Sequence, residues 1–219
     1  MTTLTTLLIH LPTFTPSSAV AEGIAFLDAH DYSHLALVDT DNKWIGNLPS
    51  ALLYEIDETE TLASISYLVE PFFVFLTDGL AKIADTFIQN KCDILPVLDE
   101  TMQLKGMLPK SALMDYLLES SFLTEAGTTV IIETNTAACS FSSIAQIVES
   151  NNNKLLGILV LSTLDNKTQL LLRLTQKNIE TIIYDLRRFD FTIISQHDED
   201  LHQNKLIEHS NYLNKFLNI

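Results

Sequence analysis

The residues able to do chemistry are few and poorly grouped. His30 and His34 stand four apart, a spacing that can place two imidazoles together, but His30-Asp31-Tyr32 reads as a turn between them. With no third ligand near in sequence, a metal pair is not expected. His197, His202 and His209 lie in a polar, acidic tail and read as surface. Neither Cys92 nor Cys139 sits in a Cys-x-x-Cys or Cys/His spacing, which predicts buried thiols rather than a disulfide framework or a zinc site. Arg187-Arg188 falls at the end of a predicted helix, where it complements the helix dipole without a ligand. The chain contains no Gly-x-Ser-x-Gly, P-loop, Gly-x-Gly-x-x-Gly or His-Glu-x-x-His pattern. Nothing groups a nucleophile with a base and an orienting acid, so a non-catalytic protein is expected.

The elements that position these residues follow from apolar spacing. Pro12 and Pro16 hold the segment before the first helix extended, because a residue before proline avoids the helical region. Val20, Ile24 and Leu27 then recur at helical spacing over residues 19–29, with Ser17 or Ser18 as cap. Leu35 to Val38 reads as a buried strand, Asp39 to Lys43 as a hairpin turn and Trp44 to Leu48 as the return strand. Pro49-Ser50 opens a second helix through Glu55. The acidic stretch Glu55 to Glu60 then reads as a linker. The same order follows it: extended Phe72 to Leu76, a cap at Thr77 or Asp78, and a helix with Leu80, Ala84, Phe87 and Ile88 inward. Strands Ile94 to Leu98 and Leu104 to Leu108 flank the turn Asp99 to Met102, and a helix runs from Pro109 to about Glu119.

Residues 16–53 and 76–113 align without a gap, placing Ala21 on Ala81, Leu35 on Leu95, Asp39 on Asp99, Gly46 on Gly106 and Pro49 on Pro109. Two copies of a β-α-β-β-α unit are expected to bury their apolar faces against each other, with any ligand site in the groove between them.

With 219 residues, 47% of them hydrophobic, the chain suffices for packed cores. The net charge of −15 is uneven, since residues 1–120 hold 17 Asp and Glu against 5 Lys and no Arg. Such a surface repels phosphate backbones and anionic headgroups, so neither nucleic acid nor membrane is expected as a partner. No apolar run approaches the ~18–20 residues that span a bilayer. No leader pattern opens the chain, and a cytoplasmic protein is expected.

The repeated pattern resembles a tandem pair of CBS domains, a Bateman module. The resemblance rests on Leu35, Val38 and Asp39, on Leu95-Pro96-Val97-Leu98-Asp99, and on the turns Gly46-Asn47-Leu48-Pro49 and Gly106-Met107-Leu108-Pro109. It covers about the first 120 residues and implies CBS repeats at 1–60 and 61–122. It also implies a cleft for an adenosine-containing ligand, bordered by Ser33, His34, Pro49, Ser50, Asp93, Ile94, Pro109, Lys110 and Ser111. In the family pattern a glycine is followed three residues later by Ser or Thr, and three later again by an Asp that accepts from ribose hydroxyls. Here Pro49 and Pro109 stand at the hydroxyl positions, and Leu52 and Ala112 at the Asp positions. The ribose clamp is absent from both copies, and such charge-assisted hydrogen bonds are worth ~1.5–3 kcal/mol. The expectation is a regulatory protein whose degenerate cleft senses a small-molecule effector, with adenine nucleotide as the candidate ligand. The rival expectation is a structural interaction module for an unknown protein partner, its clefts filled by Trp44, Phe14 or Phe75.

After Ser120 the pattern changes, and Glu125-Ala126-Gly127 reads as a break. Strand Thr128 to Glu133, helix Phe141 to Val148, strands Leu155 to Ser162 and Gln169 to Leu174, a helix from Asn178 and a strand Phe191 to Ser195 give the order βαββαβ. This order resembles an ACT-like domain at 123–197, and the whole resembles small bacterial CBS-plus-ACT-like regulators of the acetoin-utilisation type. The resemblance implies a homodimer and an amino-acid site at the interface loop holding Asn135, Cys139 and Ser140, which makes an amino-acid sensor the third reading. Residues 198–219 are expected to form an amphipathic helix with Leu206, Leu213 and Leu217 on its buried side. The expected fold class is α+β.

Overall fold

The computed structural model describes residues 4–175 and 177–195. The expected C-terminal helix and the three tail histidines lie outside the described residues. The chain divides into two compact units, 1–119 and 120–219. Together they make an α+β protein.

In the first unit, α1 (Val20–His30) precedes β1 (His34–Val38) and β2 (Trp44–Pro49), and the single turn α2 (Ser50–Leu53) closes the first repeat. The second repeat runs β3 (Val74–Phe75), α3 (Leu80–Asn90), β4 (Ile94–Leu98), β5 (Leu104–Pro109) and α4 (Lys110–Leu118). The duplication extends to the hydrogen-bond register. His34 faces Pro49 and Ile94 faces Pro109, and a bulge interrupts the ladder after Leu37 in one copy and after Val97 in the other. Both first helices end on a left-handed residue, Asp31 (φ 54°) and Lys91 (φ 49°), at equivalent positions. The copies differ at their first strand. β3 pairs in parallel with β4, whereas the first repeat retains only a lone bridge between Phe14 and Leu37.

Several local expectations are corrected. Neither Ser17 nor Ser18 caps α1, whose N-cap is Ala19, and Gly79 rather than Thr77 or Asp78 occupies that position before α3. The Ser18 hydroxyl instead accepts from the Thr15 amide, and the Asp78 carboxylate from that of Phe75 (2.8 Å), so both side chains fix the turns leading into the helices. α2 stops at Leu53, short of Glu55, and two 3-10 turns at Leu62–Ser64 and Ser66–Leu68 occupy the link between repeats. On α3 the buried residues are Ile83, Thr86 and Phe87, while Leu80 and Ile88 are 45% and 70% exposed. A polar residue can take the inward position because the Thr86 hydroxyl donates to the Lys82 carbonyl one turn back (2.8 Å).

The repeats exchange their leading segments. Leu4, Leu7 and Leu8 pack against the core of the second repeat, while Leu62, Ile65 and Val69 pack in or on that of the first. Ile9 bridges Met107 on β5, with reciprocal amide-to-carbonyl bonds of 2.9 Å, and Glu70 bridges Asn47 on β2 in the same way. This crossing requires glycine at two equivalent places. A Cβ on Gly46 would collide with the Val69 side chain, and one on Gly106 would lie 3.1 Å from the Ile9 carbonyl oxygen.

The second unit opens with α5 (Ser121–Thr124), followed by β6 (Thr128–Asn135), α6 (Phe141–Ser150), β7 (Leu155–Leu164), β8 (Lys167–Leu174), α7 (Ile179–Arg188) and β9 (Thr192–Ile193). The strands form one antiparallel sheet in the order β7-β8-β6-β9, which with two intervening helices is the ferredoxin-like arrangement. Strict alternation puts Val130 and Ile132 of β6 and Leu170, Leu172 and Leu174 of β8 on one face, where Ile144 and Val148 of α6 and Ile182 and Leu186 of α7 cover them. Asp165 and Asn166 both take positive φ (50° and 60°), the geometry of a two-residue hairpin turn that matches strand twist. Phe141 is half exposed rather than inward, and β9 is shorter than the expected Phe191 to Ser195 because Phe191 turns into the core.

Replacement of Gly46 by Ala forces Val69 off the β2 backbone. The variant is expected to lose ~1–3 kcal/mol of stability, the usual range for overpacking, in a denaturant melt followed by circular dichroism. A loss under ~0.5 kcal/mol shows that the crossing segments do not approach as described.

Candidate functional site

The predicted site residues Ser33 and Asp93 occupy equivalent places, sixty residues apart, immediately before the central strands. They meet each other. The Asp93 carboxylate accepts from the Ser33 amide (3.0 and 3.2 Å) and from its hydroxyl (2.8 Å), and the Ser33 Oγ in turn accepts from the Asp93 amide (3.2 Å). The Ser33 Oγ also lies 2.8 Å from His34 Nδ1, and His34 Nε2 lies 3.3 Å from the Glu70 carboxylate. His34 is buried, with its ring edge against Phe72 (5.0 Å between centroids). This cluster forms one end of a pseudo-twofold joint.

At the other end the hairpin turns meet. The Trp44 amide donates to the Met102 carbonyl (3.0 Å) and the Leu104 amide to the Asn42 carbonyl (3.1 Å), two bonds related by the same offset. Asn42 and Met102 both adopt positive φ (59° and 66°), a conformation that Asn tolerates better than Met. Beside this joint, Asp99 accepts from the Thr101 hydroxyl (2.6 Å) and pairs with Lys105 (2.7 Å). Lys105, and then Thr101, hold its carboxyl well below the usual range. A depressed carboxylate stabilises the fold above its ordinary pKa near 4, and that contribution is lost as pH falls through the folded value.

Two clefts flank the joint, one on each side of the pseudo-twofold axis. The first is a cavity of ≈ 130 Å³ walled by the leading segment His10 to Phe14 and by Leu104 to Met107 of β5, with Phe26, His34, Ala36, Asn42 and Ile94 completing it. Its equivalent should lie between residues 70–74 and β2. There the walls touch: the Trp44 ring packs against Phe73 (4.9 Å, edge to face), Phe73 packs against Phe75 (5.1 Å), and the Trp44 Nε1 donates to Asn47 Oδ1 (3.3 Å). The Asn47 amide reaches the Phe72 carbonyl (2.6 Å) and closes the floor. Trp44 corresponds to Leu104 and Phe73 to Thr13, so one pair of substitutions accounts for one filled cleft and one open one. Outside this plug, an open hollow of ≈ 430 Å³ lies between Phe72, Phe73 and Phe75 and the α3 residues Lys82, Thr86 and Asn90.

Of the residues expected around the ligand, His34 and Ile94 line the open cleft. Ser33 and Asp93 lie behind it, engaged with each other. The Ser50 and Lys110 amides donate to the Ser33 and Asp93 carbonyls (2.8 and 2.7 Å). Pro49 and Pro109 are the last ladder positions of β2 and β5, and Lys110 and Ser111 are exposed on α4. In the second unit, Asn135 Oδ1 accepts from the Ala137 amide (2.9 Å) and caps the 3-10 turn Thr136–Ala138, while the Ser140 hydroxyl accepts from the Ser143 amide (3.3 Å) and caps α6. Cys139 packs against the core. Cys92 is buried, and desolvation pushes its thiol up to about 11, so it stays protonated at neutral pH. Among the described residues, no group of three His, Cys, Asp or Glu could hold a metal, and no helix is long and apolar enough to cross a membrane.

The family comparison matches residues 66–119 to the CBS domain. The chain carries a CBS domain, and the register-matched first repeat makes it a tandem pair. Comparison with curated proteins found no match. Among solved structures, a CBS domain pair/ACT domain protein from Thermotoga maritima is 21% identical, with 53% of this chain covering 97% of that one at a TM-score of 0.48. The CBS domains of a transcriptional regulator from Streptococcus pneumoniae are 13% identical (52% and 98% covered, TM-score 0.47). The cytosolic domain of the Mg2+ channel MgtE in complex with ATP is 21% identical (48% and 44% covered, TM-score 0.41).

Sequence reasoning missed His10, Thr13, Asn42 and Lys105 as cleft residues. No local pattern marks them, because a leading segment that crosses to the other repeat brings its residues to the opposite copy's second strand. Removing the joint's carboxylate in Asp93→Ala leaves the Ser33 amide and hydroxyl without their acceptor. A loss of ~1.5–3 kcal/mol is expected by chemical denaturation, and Asp93→Asn should recover part of it. An unchanged midpoint in both variants shows that the cluster does not join the repeats.

Proposed function

We propose that the CBS pair is a non-catalytic regulatory module of the cytoplasm that senses one small metabolite per chain through the open cleft. The observation that carries this reading is the inequality of two clefts related by duplication: one holds a cavity with both polar and apolar walls, the other is closed by Trp44 and Phe73. Phe14, Phe26, Leu104 and Met107 offer a flat ligand apolar walls, while His10, Thr13, His34, Asn42 and Lys105 supply hydrogen-bonding groups. An adenosine-type ligand suits this lining. The cavity of ≈ 130 Å³ is below the ~300–1,000 Å³ of typical small-molecule pockets, and its one lysine is already paired with Asp99. Adenosine or AMP therefore fits this chemistry better than ATP. Ligand between the His10 to Phe14 segment and β5 links both repeats, so binding would favour one of their relative angles and bias the surface offered to a partner in a homodimer. The structural-module reading applies to the second cleft, where Trp44 replaces the ligand.

A thermal-shift panel of adenosine, AMP, ADP, ATP, NAD, S-adenosylmethionine, coenzyme A and the twenty amino acids tests this function. Adenosine or AMP should raise the melting temperature, by a stabilisation of ~2.7 kcal/mol at a hundredfold excess over its dissociation constant. Leu104→Trp, which copies the plug of the second cleft into the first, should abolish the shift while the protein still melts cooperatively. A shift that survives Leu104→Trp places the ligand elsewhere, and silence across the panel at millimolar concentration leaves the pair as a structural module.

A further inference from the structure

His34 is a buried ring beside the joint, and both of its nitrogens face oxygen atoms. The protons on these contacts can be counted. The Ser33 hydroxyl has one hydrogen and two lone pairs. The ionised Asp93 carboxylate, 2.8 Å away, can only accept, and it takes that hydrogen. The Asp93 amide fills one lone pair of Ser33 Oγ (3.2 Å), which leaves the second to accept from His34 Nδ1 at 2.8 Å. On the far side of the ring, His34 Nε2 lies 3.3 Å from Oε2 of Glu70, another carboxylate that can only accept. Each ring nitrogen therefore meets an acceptor, and the chain of contacts is complete when both carry a hydrogen. A neutral ring leaves one contact without a proton. Turning the Ser33 hydroxyl toward Nδ1 instead sets Oγ against an Asp93 oxygen with no hydrogen between them.

The ring ties two parts of the first unit. Ser33 and Asp93 belong to the joint between the repeats. Glu70 belongs to the segment of the second repeat that crosses to the first, where its backbone exchanges bonds with that of Asn47 (2.8 and 3.0 Å). In the other copy Ile94 stands at the place of His34 and His10 at that of Glu70, so this pair has no counterpart there. Two of the titratable groups nearby stay neutral where an imidazole changes charge. Desolvation, ahead of the Asp93 charge, raises the Tyr32 hydroxyl and pushes the Cys92 thiol up to about 11. Lys110 faces Cys92 from the start of α4, while His10 and Lys105 share the open cleft with His34, Lys105 being paired with Asp99.

We propose that His34 is a proton-dependent clasp: doubly protonated, it ties the crossing segment of the second repeat to the Ser33–Asp93 joint, and loss of its second proton releases that segment. With Nε2 bare, a lone pair faces the Glu70 carboxylate and the contact turns repulsive. The Glu70 side chain is 46% exposed, so water replaces the ring there first. A proton held by the folded state stabilises it while bound, and that contribution is lost as pH rises. As a regulator of the open cleft, which His34 lines, the clasp rests on the function proposed for that cleft; the clasp itself stands without a ligand.

Long-range proton–nitrogen correlation on the 15N-labelled full chain, without ligand, reads the ring directly. The His34 signals are identified by transfer to the Phe72 ring, 5.0 Å away. They should show two protonated nitrogens at about pH 7, and one in Glu70→Gln, whose amide can donate to a neutral ring. Hydrogen exchange reads the release. Corrected for intrinsic rates, the amides at positions 47 and 70 should exchange roughly tenfold faster or more at about pH 8.5 than at about pH 6 in the wild type, and less than about twofold faster in Glu70→Gln. A singly protonated His34 at about pH 7 overturns the proposal, as does protection that changes equally with pH in the two proteins. If Glu70→Gln fails to fold, the wild-type spectra decide alone. Protection at 47 and 70 that stays constant while the ring loses its second proton overturns the release, and so does a ring that keeps both protons throughout. Silence of the cleft toward adenosine and AMP would sink the function proposed for it and leave these outcomes unchanged.

Discussion

The first unit depends on the crossing of its leading segments. Each repeat lends the residues before its own fold to the second strand of the other, Ile9 to Met107 and Glu70 to Asn47, at the two glycines where no side chain intervenes. A repeat severed from its twin would expose the core that the other's segment covers. The duplicated cores are therefore coupled, and the groove between them is set by backbone pairing rather than by side-chain packing alone. The Ser33–Asp93 cluster at one end and the reciprocal Trp44–Met102 and Leu104–Asn42 bonds at the other fix the remaining freedom of the joint.

Within this symmetric frame the side chains are free to differ, and they do. The plug between residues 70–74 and β2 leaves a hollow only outside Phe73, and it gives Trp44 aromatic contacts and a hydrogen-bond acceptor, a satisfied environment for an indole. The open cleft has smaller wall residues at the same places, Thr13 and Leu104. The missing ribose-binding aspartates take on a different meaning here. Proline at 49 and 109 ends each second strand, and the amide that follows is bonded to the carbonyl before the first strand, so the helix starts serve the joint between strands and helices. On the proposed reading, ligand recognition falls to the crossing segment and the strand wall.

The duplication, the element order within each copy and the βαββαβ order were legible because each leaves a short periodic signal: apolar runs of four or five residues, Asp-led turns, and alternation along β6 and β8. Helix caps were not, since Ser18 and Asp78 found partners in the turns before the helices. The inward face of α3 was misread because Thr86 buries its hydroxyl by bonding within the helix, while Ile88 remains outside. The site was half legible. Ser33, His34, Asp93 and Ile94 were placed together by the family resemblance, and the structure makes Ser33 and Asp93 partners of each other. His10, Thr13 and Lys105 stayed hidden because their position depends on a crossing between segments about a hundred residues apart, which no local pattern records. Of the fillers expected, Trp44 packs on Phe73 and Phe75 backs Phe73 from the other side, whereas Phe14 lines the open cleft instead of filling it.

The central claim is that the two clefts are unequal because Trp44 closes one of them, and Trp44 is the only tryptophan in the chain. Acrylamide quenching of its fluorescence therefore reports on the plug alone, without any ligand. The account predicts quenching several-fold weaker in the folded protein than in the denatured one, and a clear rise in the folded double variant Phe73→Thr/Phe75→Thr, in which the indole loses its aromatic neighbours. Quenching of folded wild-type protein as strong as that of the denatured chain would place Trp44 in solvent and contradict the account.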